Sequence, residues 1–154
     1  MKKILFISNI PAPYRIEFYN ELGKNTDLTV LFEAKRAKGM QFNYNLDQIS
    51  NFHAVFLSDG EMDERHVDWK ILSFLRRGTY DKIMVTNYGF ATEAAAILAL
   101  KLRKIPYEME IDGGILRREH PIAHALKRVL IRGAARYWST GRQTDEFFRH
   151  FGVP

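Results

Sequence analysis

Two rhythms of apolar residues take turns along the chain. Short apolar runs stand at 3–8 (KILFIS), 28–33 (LTVLFE), 52–57 (FHAVFL), 81–87 (DKIMVTN), 105–112 (IPYEMEID) and 135–140 (ARYWST). Each has the length and residue types of a buried strand. Between them the spacing becomes helical. Over 14–24 the apolar positions Ile16, Phe18, Tyr19 and Leu22 leave Arg15, Glu17, Asn20 and Glu21 outward, and Gly23 suits the helix end. Further helices are predicted over 69–78, 90–104, 120–133 and 143–150. Residues 34–50 are polar and aromatic without a clear period, and read as a long loop. An acidic loop, 59–68, leads into the helix at 69. Strands that alternate with helices predict an α/β fold with a mostly parallel sheet of about six strands. The link from the second strand to the third is the weakest part, because it lacks a helix.

In an open parallel sheet, ligands sit beyond the carboxyl ends of the strands, near the reversal of strand order. That rule selects residues 9–14, 34–44, 58–65, 87–89, 112–118 and 140–142. In the first of these, Pro11 and Pro13 stiffen the loop, and the Asn9 amide can both donate and accept. Tyr14 and Arg15 open the following helix. A cation gains nothing from the dipole there, so Arg15 is either simply exposed or meets an anion. Asn87, Tyr88 and Gly89 offer an amide, a phenol and open backbone, which suits a hydroxyl-rich ligand or a plain helix start. The run EIDGG is the most chemical stretch. Alternation places Glu108, Glu110 and Asp112 on one face of the strand, with Tyr107, Met109 and Ile111 on the other. Three carboxylates on one face are hard to bury unpaired. Asp112 ends the strand beside Gly113 and Gly114, where backbone can approach a ligand, and is the candidate functional acid. Glu108 lies deeper and reads as a partner for a basic side chain.

Composition narrows this. With 154 residues, 46% hydrophobic and 27% charged, the chain suits one globular domain. It has no cysteine, so disulfides and thiolate metal sites are excluded, which fits a reducing cytoplasm. The opening MKKILFISNIP is too short in apolar residues for a signal peptide and is followed at once by charge. No apolar run approaches the ~18–20 residues of a spanning helix. His120 and His124 are four apart, but Pro121 stands where a zinc-protease pattern needs Glu, so no metal is expected. The net charge of +5 is uneven: residues 101–142 hold ten Lys or Arg against four acids. Such a half is either a solvated surface or faces an anionic partner. The predicted helix 120–133 has Ile122, Leu126, Val129 and Leu130 on one side, with Lys127, Arg128 and Arg132 beside them. It either docks on the sheet with a basic outer face or lies against anionic headgroups.

Neither GxxxxGK[ST] nor GxGxxG follows the first strand, and the paired acids of a receiver domain are replaced by Ser8 and Asn9. No nucleic-acid module is present. Of the candidate stacking rings Tyr107, Tyr137 and Trp138, the last two fall in a strand expected to be buried. The stretch ILFISNIPAPYRIEFYNELGK resembles the start of family-4 glycosyltransferases, retaining enzymes of the GT-B fold. A subset tied to polysaccharide and lipid-linked glycan assembly opens with N-(I/V)-P-x-P-Y-R-x-x-F-(F/Y)-N-x-L. Asn9, Ile10, Pro11, Pro13, Tyr14, Arg15, Phe18, Tyr19, Asn20 and Leu22 match it. EIDGG and the ending STGRQTDEFFRHFGV look like the same subset, so the resemblance spans the chain.

The resemblance implies a Rossmann-like three-layer αβα sandwich, one lobe of a two-lobe enzyme. Its amino-terminal lobe mainly binds the acceptor. The carboxyl-terminal lobe, absent from this chain, binds the nucleotide-sugar and carries a paired-Glu motif. The nucleotide-sugar is a co-substrate, and no cofactor or metal is expected. Residues 9–14 would face the donor phosphates and acceptor, with Arg15 helping with charge and Asp112 near a His-Asp pair of many relatives. Glu110 and Ile111 do not reproduce that His. Asn87, Tyr88, Gly89, Glu110, Gly113 and Gly114 complete the expected substrate site. Lys127, Arg128 and Arg132 would form a membrane patch on a lobe that is cytoplasmic and peripheral at the inner leaflet. The partners implied are a nucleotide-sugar, a glycan or lipid-linked acceptor, the second lobe in cis and an anionic membrane, with no nucleic acid. The competing expectation is a stand-alone Rossmann-like module that binds a sugar or nucleotide without chemistry. The ending GVP reads as a lead-in to another strand, which favours a fragment.

Overall fold

The computed structural model describes residues 1–39 and 46–153. Six strands form one sheet: β1 (Lys3–Ser8), β2 (Asp27–Arg36), β3 (His53–Glu61), β4 (Lys82–Val85), β5 (Glu108–Ile111) and β6 (Arg136–Ser139). Four helices connect or follow them: α1 (Pro13–Gly23), α2 (Ala91–Leu102), α3 (Pro121–Ile131) and α4 (Arg142–His150). The strand order is β3-β2-β1-β4-β5-β6 and every pairing is parallel. The chain winds outward from β1 to β3, then returns to lay β4 against the other side of β1. The expected α/β class with a parallel, Rossmann-like sheet is therefore observed.

Alternation along the strands builds two cores, one on each face of the sheet. Phe6, Leu28, Val30 and Phe32 point to the α1 side, where they meet Ile16, Tyr19 and Phe52. Leu5, Ile7, Leu31, Val85, Met109 and Ile111 point the other way and pack with α2, α3 and α4 through Ile97, Leu100, Leu130, Phe147 and Phe148. This is the three-layer sandwich, with the central strands buried on both faces as parallel sheets require. The α1 layer is short. Beside it, Phe6, Phe18, Met84, Glu108, Glu110 and Trp138 line a groove of about 420 Å³.

Several boundaries differ from expectation, each for a local reason. β2 and β3 run on to Arg36 and Glu61 because the ladder continues through Ala34 with Ser58 and Arg36 with Glu61, across a register shift. The first residues of the expected acidic loop are therefore strand. β3 is an edge, so polar side chains there reach water without penalty. The helix expected over 69–78 is a single 3-10 turn, Trp69–Ser73, whose start is capped by Asp68 accepting from the Lys70 amide. β5 begins at Glu108 rather than 105, since Lys104 is left-handed (φ 53°) and Pro106 has no amide to pair. Trp138, expected to be buried, is 46% exposed because β6 is the opposite edge. Most of the apolar side of α3 does not dock on the sheet: Ile122, Leu126 and Val129 are exposed, and only Leu130, with Ile131 beside it, is buried in the core. Of the long loop expected over 34–50, residues 40–45 lie outside the described residues, as does the final Pro154.

Candidate functional site

The reversal of strand order lies between β1 and β4. Their register, Ile7 opposite Val85, is extended one step by the Thr86 amide donating to the Ile7 carbonyl (3.0 Å). Asn9 and Asn87 therefore leave the sheet side by side. Each spends its Oδ1 on its own loop. Asn9 accepts from the Ile10 amide (2.7 Å), and Asn87 accepts from the amides of Tyr88 (2.7 Å) and Gly89 (3.1 Å). Both side-chain NH2 groups are left pointing away from these bonds as free donors among the described residues.

Pro11 is buried, and Pro13 takes the first helical position of α1, where its missing amide costs nothing. That start places Tyr14 and Arg15 against the end of β5. The Arg15 guanidinium bonds Glu110 at 2.7 Å and stands 3.9 Å from Asp112. The Tyr14 hydroxyl donates to Asp112 Oδ2 at 3.3 Å. Arg15 and Glu110 are both mostly buried, whereas half of the Asp112 side chain is open to solvent. Burial alone would lower the Arg15 pKa, but nearby Tyr19 and Glu110 outweigh it and the value is raised, so the cation is locked on. Below it, burial pushes the Tyr19 hydroxyl up to about 12. Of the two readings of Arg15, it is the meeting with an anion that holds, and the anion is internal.

The neighbouring carboxylate on the same strand face is also paired. Glu108 accepts from Lys82 (2.8 Å) and from the Trp138 indole (2.7 Å), as its deeper position predicted. Burial raises its pKa, but these two bonds outweigh that and leave it lowered. Gly113, with φ +72°, makes the turn that ends the strand. Gly114 has no room for a side chain: a Cβ there would stand 2.7 Å from the Phe147 ring. The same ring lies 5.8 Å from Tyr88, whose hydroxyl burial, aided by Glu119, pushes up to about 12.

Asn9, Tyr14, Arg15, Glu110 and Asp112, with Asn87, Tyr88 and Gly89, thus gather at one end of the sheet. The cluster has one cation against two carboxylates, so it offers acceptors and amide donors rather than a positive cradle. Such a set can hydrogen-bond sugar hydroxyls, and Tyr14 and Tyr88 add aromatic faces. Among the described residues no three His, Asp or Glu converge closely enough to hold a metal ion.

The basic residues of α3 form a separate feature. Lys127 bonds Glu119, while Arg128 and Arg132 lie over Gly152, within 3.7 and 3.9 Å of where a Cβ would stand. They flank the exposed Ile122, Leu126 and Val129. No helix among the described residues is long and apolar enough to cross a membrane. Sequence reasoning missed the buried pair Glu33 and Glu93, which lies behind the second strand. A Glu inside an apolar strand run was the available signal. A scan against protein-family models matches none, and a search of curated proteins finds no match.

Proposed function

We propose that this chain is the acceptor-binding lobe of a retaining, nucleotide-sugar-dependent glycosyltransferase acting in polysaccharide or cell-envelope glycan assembly. One observation carries the reading. The two segments that resemble the family, NIPAPYR and EIDGG, are far apart in sequence yet share the Arg15–Glu110–Asp112–Tyr14 cluster at the strand reversal. On this reading Asp112 is the acid nearest the reacting sugar, and Arg15 and Tyr14 hold it in place. Asn9 and Asn87 donate to hydroxyls, and Gly113 and Gly114 bring backbone to the same mouth. The second lobe supplies the donor site, so the activity requires both lobes.

The basic, apolar-sided α3 supports a second part of the same reading: the lobe rests on the anionic inner leaflet, beside a lipid-linked acceptor. The arginines supply attraction, and Ile122, Leu126 and Val129 supply insertion.

The test is release of nucleoside diphosphate from a panel of nucleotide-sugars by the chain joined to its donor-binding lobe. One donor is expected to turn over, with kcat falling at least ~100-fold in Asp112→Ala while folding is intact. If no donor turns over with glycan acceptors present, and none shifts the melting of this lobe, the transferase reading fails.

A further inference from the structure

A second cleft, distinct from the strand reversal, opens where β2 and β3 end. It has a volume of about 380 Å³, and its wall includes Glu33, Asp59, Glu61, Asp63, Asp68 and Lys70. That size admits a small molecule. The chain as a whole is basic, yet this end concentrates acid. Lys35 pairs with Asp59 at 2.7 Å and Lys70 approaches Asp68 at 3.9 Å. Glu33, Glu61 and Asp63 are left without an ion-pair partner among the described residues.

Glu33 sets this cleft apart from a solvated acidic loop. Its position on β2 turns it toward the α2 side of the sheet, and it is only 6% exposed. Its Oε1 is buried with no hydrogen-bond partner, and behind it both carboxyl oxygens of Glu93, on α2, are equally buried and unpartnered. A buried carboxyl without a counter-charge is costly. Burial accordingly pushes Glu33 up to about 7, and burial together with the nearby Glu33 charge raises Glu93 well above its ordinary range. A cation in the cleft would supply the missing charge to Glu33.

The cleft is also held in shape. The Thr92 hydroxyl, on α2, donates to the His66 carbonyl and accepts from the Asp68 amide, both at 3.1 Å. The Ala91 amide donates to the Glu64 carbonyl at 3.0 Å. These bonds pin the acidic segment to the start of α2 before any ligand arrives. The carboxylates are too dispersed to converge on a metal ion. A cation that carries its charge on N–H donors can instead bond the one or two acids it reaches, Glu33 first, without drawing the others together.

We propose that the cleft between Glu33 and the 58–68 segment binds a small ligand through a primary ammonium group. This site is independent of the transferase reading: it uses none of the strand-reversal residues, and either can fail alone. The test is a titration of the 154-residue chain at pH 7, followed by amide NMR, with D-glucosamine, D-glucose and N-acetyl-D-glucosamine. These share a ring and differ in the charged amine. Glucosamine is expected to shift the amides of Glu33, Ala34, Ser58, Asp59, Glu61 and His66, and the neutral sugars to leave them in place. Glu33→Gln should weaken glucosamine about tenfold or more. Glu61→Gln, an exposed change, serves as the second variant if Glu33→Gln does not fold. Equal shifts from the neutral sugars would overturn the proposal. So would shifts confined to other parts of the chain, no shift at all, or variants that bind like the parent.

Discussion

The Glu33–Glu93 pair makes a stability prediction whose sign is unusual for carboxylates. Both side chains are almost wholly inaccessible, and both hold their protons more tightly in the folded chain than in the unfolded one. Well below pH 4.5 both states are protonated and the pair adds no pH dependence. Between there and pH 7 the unfolded chain releases protons that the folded chain keeps. Folding stability therefore falls as pH rises through this window. For Glu33 the rise from 4.5 to about 7 corresponds to about 3 kcal/mol at roughly 1.4 kcal/mol per unit. Glu93 is raised for the same reason and adds to it. The carboxyls of Asp59 and Glu108 are lowered instead, so their contribution disappears at pH values below this window.

The perturbation is Glu93→Gln, which keeps the shape and removes the titrating group that burial and the Glu33 charge hold protonated. Urea unfolding followed by circular dichroism at pH 5 and pH 8 reads the effect. At pH 8 the variant should be more stable than the parent by about 2–3 kcal/mol, and at pH 5 the two should lie within about 1 kcal/mol. A variant destabilised equally at both pH values would refute the reasoning, because the carboxyl would then act through packing alone.

Three further outcomes are expected. Arg15→Met strands Glu110 in a site where both partners are mostly covered, so unfolding free energy should fall by about 3 kcal/mol, and adding Glu110→Gln should restore part of it. Gly23→Ala, a change that ordinarily favours a helix, should here cost about 2–3 kcal/mol in denaturant, since the new Cβ would meet the Asn51 carbonyl oxygen at 1.9 Å. In vesicle co-sedimentation the chain should bind anionic lipid in preference to neutral lipid, and Arg128→Glu with Arg132→Glu should abolish the preference; equal binding to both lipids would remove the membrane role of α3.

The sheet was legible because its strands carry their own signal. Runs such as ILFI and IMV need both faces covered, and the helical spacing between them leaves only a parallel arrangement. The carboxylate face of β5 was legible for the same reason, since alternation alone separates Glu108 and Glu110 from Met109 and Ile111. What escaped was set by contacts between distant segments. Nothing local says that Arg15 turns inward to Glu110, 95 positions away. The α3 stripe has the spacing of a core helix, yet spacing cannot say that the core receives only its last turn. Residues 69–78 look helical by composition, but the chain needs only a short turn to reach β4. Glu33 and Glu93 become a pair only when β2 and α2 pack, and neither position announces the other.

The pairing of Arg15 changes how the strand reversal would be used. A phosphate arriving there would have to draw the guanidinium away from Glu110 at 2.7 Å, and would leave that buried carboxylate beside Asp112 and beside the phosphate itself. Two carboxylates and an anion around one cation is an unfavourable exchange where Arg15 and Glu110 are mostly covered. Sugar hydroxyls meet no such barrier. They can donate to Asp112 and accept from the free NH2 groups of Asn9 and Asn87 without disturbing Arg15. The electrostatics of this end of the sheet therefore favour a neutral, hydroxyl-bearing ligand over an anionic one. Under the proposed transferase reading, the charge of a nucleotide donor is then neutralised outside this cluster.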